Sequence, residues 1–73
     1  MARLRVLSGA AVRRILEQHG FAFIRQRGSH MVMQRATTDT TITVIVPDHR
    51  EIRIGTLQSI IRQSQLPREL FEN

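Results

Sequence analysis

The chain has 73 residues, enough for one domain of modest stability, since a fold of this size buries only about 60% of the surface its unfolded form exposes. It contains no cysteine, which excludes a disulfide framework and a thiolate zinc site. The net charge is +5 and all eleven basic residues are arginine, which excludes Schiff-base chemistry on lysine and a P-loop lysine. Guanidinium forks match phosphate oxygens and stack on bases, so the arginines point to nucleic acid. A GC-rich genome that replaces lysine with arginine throughout accounts for the same composition equally well. The longest apolar run, around Ile42 to Val46, is too short to span a membrane, and no signal-like start precedes a cleavage site. A cytoplasmic protein with no membrane association is expected.

The first element is "LSGAAVRRILEQHGF". Ser8 can cap a helix whose Leu7 packs on Val12 as a hydrophobic staple. Val12, Ile15, Leu16 and His19 follow at helical spacing, with Arg13, Arg14, Glu17 and Gln18 facing outward. Gly20 supplies the left-handed stop and Phe21 folds back behind it.

"FAFIRQR", "SHMVMQR" and "TTITVIV" are strand candidates, rich in β-branched and aromatic residues and bounded by turn signals. Gly28-Ser29 fits a two-residue hairpin turn with positive φ at Gly28. Ala36 to Asp39 form a polar loop, and Pro47 ends the third strand because it lacks an N–H. "GTLQSIIRQSQLP" reads as a second helix, with Thr56 as its cap, Leu57, Ile60 and Ile61 on one stripe, and Pro67 as its stop. Pro67 to Phe71 adds a further helical turn that brings Leu70 and Phe71 over the core, or else frays.

This order predicts an α+β fold, αβββα, in which three antiparallel strands carry two helices on one face and leave the other face to solvent. Residues 1–73 are expected to form a single domain. Alternation places Met31 and Met33 on the core side and His30, Val32 and Gln34 on the open side.

Three histidines are the residues suited to proton transfer near neutral pH. His19, in the last turn of the first helix, suits a structural role at the negative end of the helix dipole. His49, in the loop after Pro47, is a candidate for a supporting role at bound phosphate. His30 stands among Arg25, Arg27 and Arg35, next to Ser29. RNA carries its own nucleophile in the 2′-hydroxyl, so one histidine and a few arginines are sufficient parts for cleaving it. On spacing alone, a solvated strand histidine with no chemistry is the commoner reading of such a position. Ser29 and His30 are neighbours on a strand and face opposite ways, which disfavours a serine nucleophile activated by this histidine. The six carboxylates are scattered without metal-ligand spacing, and without Tyr or Trp a broad stacking platform for single strands is not expected.

Taken together, a helix ending in "HGF", then "RQRGSHMVM", "ITVIVP" and "GTLQSIIRQSQL", resembles the HicA toxins of bacterial toxin–antitoxin pairs over Leu7 to Leu66. The resemblance implies a fold similar to double-stranded-RNA-binding domains and an endoribonuclease, or mRNA interferase, that arrests translation. It makes His30 the catalytic residue, with no metal and no cofactor. Arg25, Arg27, Ser29, Arg35, His49 and Arg53 are then the RNA-binding set, with Arg27 and Arg53 standing where the family often has lysine. A HicB-type antitoxin covering His30 is implied as partner, and operator DNA is implied only indirectly, through that antitoxin. The loop Ala36 to Asp39 departs from the family in lacking a His-Pro pair after the second strand. A non-catalytic RNA-binding module and a pure partner-binding subunit are the alternative readings.

Overall fold

The computed structural model describes residues 2–73. Its elements run α1 (Gly9–Gln18), β1 (Ala22–Arg27), β2 (His30–Ala36), β3 (Thr41–Pro47), α2 (Ile54–Ser64) and a 3-10 turn at Arg68–Phe71. The strands form one antiparallel sheet in the order β1-β2-β3, so the expected αβββα architecture is the one observed. None of the described helices is long and apolar enough to cross a membrane.

Helix α1 begins as its sequence dictates. The Ser8 hydroxyl accepts from the Ala11 N–H at 3.0 Å, satisfying one of the orphan donors of the first turn. At the other end Phe21 N–H donates to the Leu16 carbonyl and Gly20 N–H to that of Glu17, the paired bonds of a Schellman stop, with Gly20 at φ 92°. His19 closes the helix and its Nδ1 lies 2.9 Å from the Ile15 carbonyl. A carbonyl only accepts, so Nδ1 carries the proton in this bond.

Helix α2 departs from expectation at its start. It starts at Ile54 with Arg53 as its extended cap residue and no side-chain cap bond; Thr56 lies inside the first turn and does not cap. Tertiary anchoring sets this start. Buried Ile52 donates its N–H to the Leu7 carbonyl at 2.8 Å, and Leu57 N–H then bonds the Arg53 carbonyl at 2.9 Å. The helix ends before Pro67, at Gln65, which holds a left-handed φ of 61°. Buried Ser64 covers the exit, donating to the Ile61 carbonyl and accepting from Leu66 N–H.

Both helices pack on one face of the sheet. Val12 and Leu16 of α1, Leu57 and Ile60 of α2, and Met31, Met33, Val44 and Val46 of the sheet share the core with Phe21, Ile42, Ile52 and Phe71. Phe71 is fully buried, and the chain end is held by Arg5 N–H to the Phe71 carbonyl and Asn73 N–H to that of Arg3, both at 2.9 Å. The terminal turn is therefore part of the packed fold and does not fray.

The tightest junction is between α1 and the end of β3. Gly9 N–H donates to the His49 carbonyl at 2.8 Å, and a Cβ on Gly9 would collide with the Pro47 carbonyl oxygen and meet Asp48 Cα at 3.0 Å. Helix propensity by itself favours alanine over glycine by about 1 kcal/mol, but here the neighbours are backbone and cannot yield cheaply. Gly9→Ala is expected to destabilise the fold by about 1–3 kcal/mol, as overpacking does. Gln65→Gly should instead raise stability by about 0.5–1 kcal/mol, the left-handed penalty less the entropy of glycine. Thermal denaturation of the two variants checks both signs.

Candidate functional site

The site is built on the β1–β2 hairpin. Gly28 takes φ 56° at the first turn position, as a two-residue turn of this kind requires, and the next strand opens at His30. Its cross-strand partners are Arg27 on β1 and Pro47 on β3. The core side of β2 is occupied by Met31 and Met33, so alternation turns His30, Val32 and Gln34 to the open face, and His30 is exposed there.

A bulge decides what surrounds it. Register shifts between Phe23 and Arg25, so that Ile24 and Arg25 together stand opposite Val32. Phe23 keeps its place against the core, while Arg25 joins Arg27 on the side of His30. Neither arginine forms an ion pair among the described residues, so both charges are available to an anion. Behind them lies a short apolar strip. Val32 is only 7% exposed although it faces away from the helices, with Ile45 its partner on β3; Ile45 and Ile24 remain 43% and 44% exposed. The open face is thus an apolar strip rimmed by guanidinium groups, with Gln34 donating to the Thr43 hydroxyl at 3.3 Å further along.

The remaining residues of the expected RNA-binding set fall in different places. Arg35 shares the parity of Met31 and Met33 and pairs with Ile42. Its guanidinium carbon lies 5.4 Å from the Phe21 ring centroid, and a Cβ on Gly20 would touch its side chain. It is therefore on the helix-bearing face and is not brought together with His30, because nearness in the chain does not survive strand alternation. Arg53 caps α2, exposed. His49 lies in the loop after β3 with its side chain exposed and its carbonyl engaged by Gly9. Ser29 lies in the turn, and its carbonyl accepts from Asp48 N–H at 2.6 Å.

Two residues outside that set hold the turn. Gln26 Nε2 donates to the Gly28 carbonyl at 2.9 Å and to Asp48 Oδ2 at 3.1 Å. The sequence carries one signal for Gln26, a polar residue at a core-parity position opposite Met31; the partner Asp48, 22 residues away, has none. Among the described residues, no three His, Asp or Glu side chains gather closely enough to hold a metal ion.

A comparison with curated proteins finds no match. The model of the family described as HicA toxin of bacterial toxin–antitoxin matches residues 9–66, which includes α1, the whole sheet, the turn before His30 and α2. That match spans most of the chain, and the chain belongs to the HicA toxin family of bacterial toxin–antitoxin systems, in which a toxin is paired with a cognate antitoxin.

Proposed function

We propose that the protein is the toxin of its pair and acts as a metal-independent endoribonuclease, cutting messenger RNA and so arresting translation. The observation that carries this reading is the placement of His30: exposed, on a strand, directly across from Arg27 and on the same face as Arg25. Proton transfer needs a group within reach of the substrate, and a strand of the sheet holds such a group more steadily than a loop does.

The chemistry needs few parts. The neutral imidazole of His30 takes the proton of a 2′-hydroxyl; the freed oxygen forms a bond to the adjacent phosphorus, and the bond from phosphorus to the 5′ oxygen breaks. The departing 5′ oxygen takes up a proton, from solvent or from the imidazolium just formed. The products are a 2′,3′-cyclic phosphate and a 5′-hydroxyl. Arg25 and Arg27 hold the non-bridging oxygens, whose charge grows in the phosphorane. Ser29, His49 and Arg53 extend the phosphate contacts along the strand, while Arg35, on the helix-bearing face, is left out of this set. A HicB-type antitoxin binds the toxin over His30 and blocks access, and operator DNA is reached only through that antitoxin.

His30→Ala is expected to leave thermal stability and RNA affinity nearly unchanged and to lower cleavage by about 10²–10⁴-fold, the range of a lost acid–base group. Growth and RNA integrity after induced expression give the same readout in cells. Retained cleavage by this variant would remove His30 from the mechanism. An RNA with a single 2′-deoxy substitution at the cut site should resist the wild type; cutting at the normal rate would exclude attack by the 2′-hydroxyl. Tight, salt-dependent binding without any cleavage by rigorously purified protein would leave an RNA-binding module instead.

A further inference from the structure

The turn that delivers His30 has little packing of its own. Gly28 and Ser29 are exposed, and a Cβ added at Gly28 would meet nothing within 4 Å. The ladder toward β3 passes over His30 itself. Ser29 and Asp48 form a hydrogen-bonded rung, so the next pair, His30 with Pro47, falls at a non-bonded position. Pro47 is tolerated there because no N–H is required of it, and the rung between β3 and the turn is the Asp48 amide.

Asp48 is in turn tied back to β1. Gln26 Nε2 holds its Oδ2 at 3.1 Å and the Gly28 carbonyl at 2.9 Å, while the Asp48 N–H holds the Ser29 carbonyl at 2.6 Å. These bonds close a loop from Gln26 through Gly28, Ser29 and Asp48 back to Gln26. Both turn carbonyls are thereby occupied from the side of the strands, and the peptide leading into His30 is held on both flanks.

We infer that Gln26 and Asp48 are positioning residues for His30, acting through the turn without touching substrate; the inference rests on the reading of His30 as the acid–base group. The clamp sets the plane of the Ser29 peptide and with it the direction of the His30 side chain over the open face. A misplacement of about 1 Å at a reacting group costs on the order of 10²-fold in rate, so loosening the clamp lowers kcat while the arginines that bind RNA keep KM.

A donor–acceptor swap tests this. Gln26→Glu sets two carboxylates against each other and removes the donor to Gly28; kcat is expected to fall by about tenfold or more with KM within about twofold. Asp48→Asn keeps an oxygen acceptor for Gln26 and should retain most of the activity. In the double variant Gln26→Glu, Asp48→Asn, the new amide donates to the new carboxylate, and part of the lost kcat should return. Amide hydrogen exchange at His30 and Met31 should quicken in Gln26→Glu and slow again in the double variant, a readout that does not depend on cleavage. A role confined to overall stability would lower Tm and leave kcat per folded molecule unchanged. Wild-type kcat and unchanged exchange in Gln26→Glu, with His30→Ala inactive, overturns the clamp and spares the catalytic reading. Full activity of His30→Ala overturns the catalytic reading and the inference with it.

Discussion

The contact on which the rest of the molecule depends is the approach of the α1 N-terminus to the end of β3. Gly9 lies so close to Pro47 and Asp48 that no side chain fits between them, and its N–H bonds the His49 carbonyl. The flanking residues bind the other elements to the same point. Ser8 caps the helix, and the Leu7 carbonyl accepts from Ile52 N–H and so brings in the approach to α2. On the far side, Asp48 N–H holds the turn between β1 and β2. A short segment around residues 7–9 therefore ties both helices, the third strand and the hairpin into one junction, and His30 stands at its edge.

The sheet divides the molecule into a face that holds it together and a face free to meet other molecules. Met31, Met33, Val44 and Val46 are sealed beneath the helices, and burial of apolar side chains on that side supplies the main driving force for folding. Because strand side chains alternate, the same backbone that buries the methionines presents His30, Val32 and Gln34 on the opposite side. The bulge at Ile24 and Arg25 makes that face more than a passive surface. It keeps Phe23 against the core and returns Arg25 to the side of Arg27, so two guanidinium groups without an ion pair among the described residues share the face of His30. Val32, with Ile45 beside it, gives the charged rim an apolar floor.

Arginine placement shows how the net charge is divided between structure and surface. Arg13 pairs with Glu17 at 3.1 Å and lies over the Phe23 ring at 4.0 Å. Arg68 pairs with Glu72, Arg5 donates to the Leu70 carbonyl, and Arg35 lies against Phe21. These side chains cover apolar rings and chain ends with their stems as well as their charge. Arg25 and Arg27 have no such engagement among the described residues and stand on the open face.

The sequence by itself determined the parts governed by local rules. Ser8, Gly20, Gly28 and Pro47 act where their backbone chemistry requires, and the alternation of Met31 and Met33 with His30 settles which way the histidine points. The family resemblance was likewise legible, because its motifs lie in order along the chain. What the tertiary structure decided are the matters that depend on partners distant in sequence. The start of α2 follows from the bond of Ile52 to Leu7, so Thr56, a good cap by type, is not one. The bulge that regroups Arg25 arises from strand pairing, and Arg35 is carried to the other face by the same pairing that exposes His30. The bond between Gln26 and Asp48 spans 22 positions. No periodicity or local propensity encodes it, because such a bond exists only once β1 and the end of β3 have been brought together by the core beneath them.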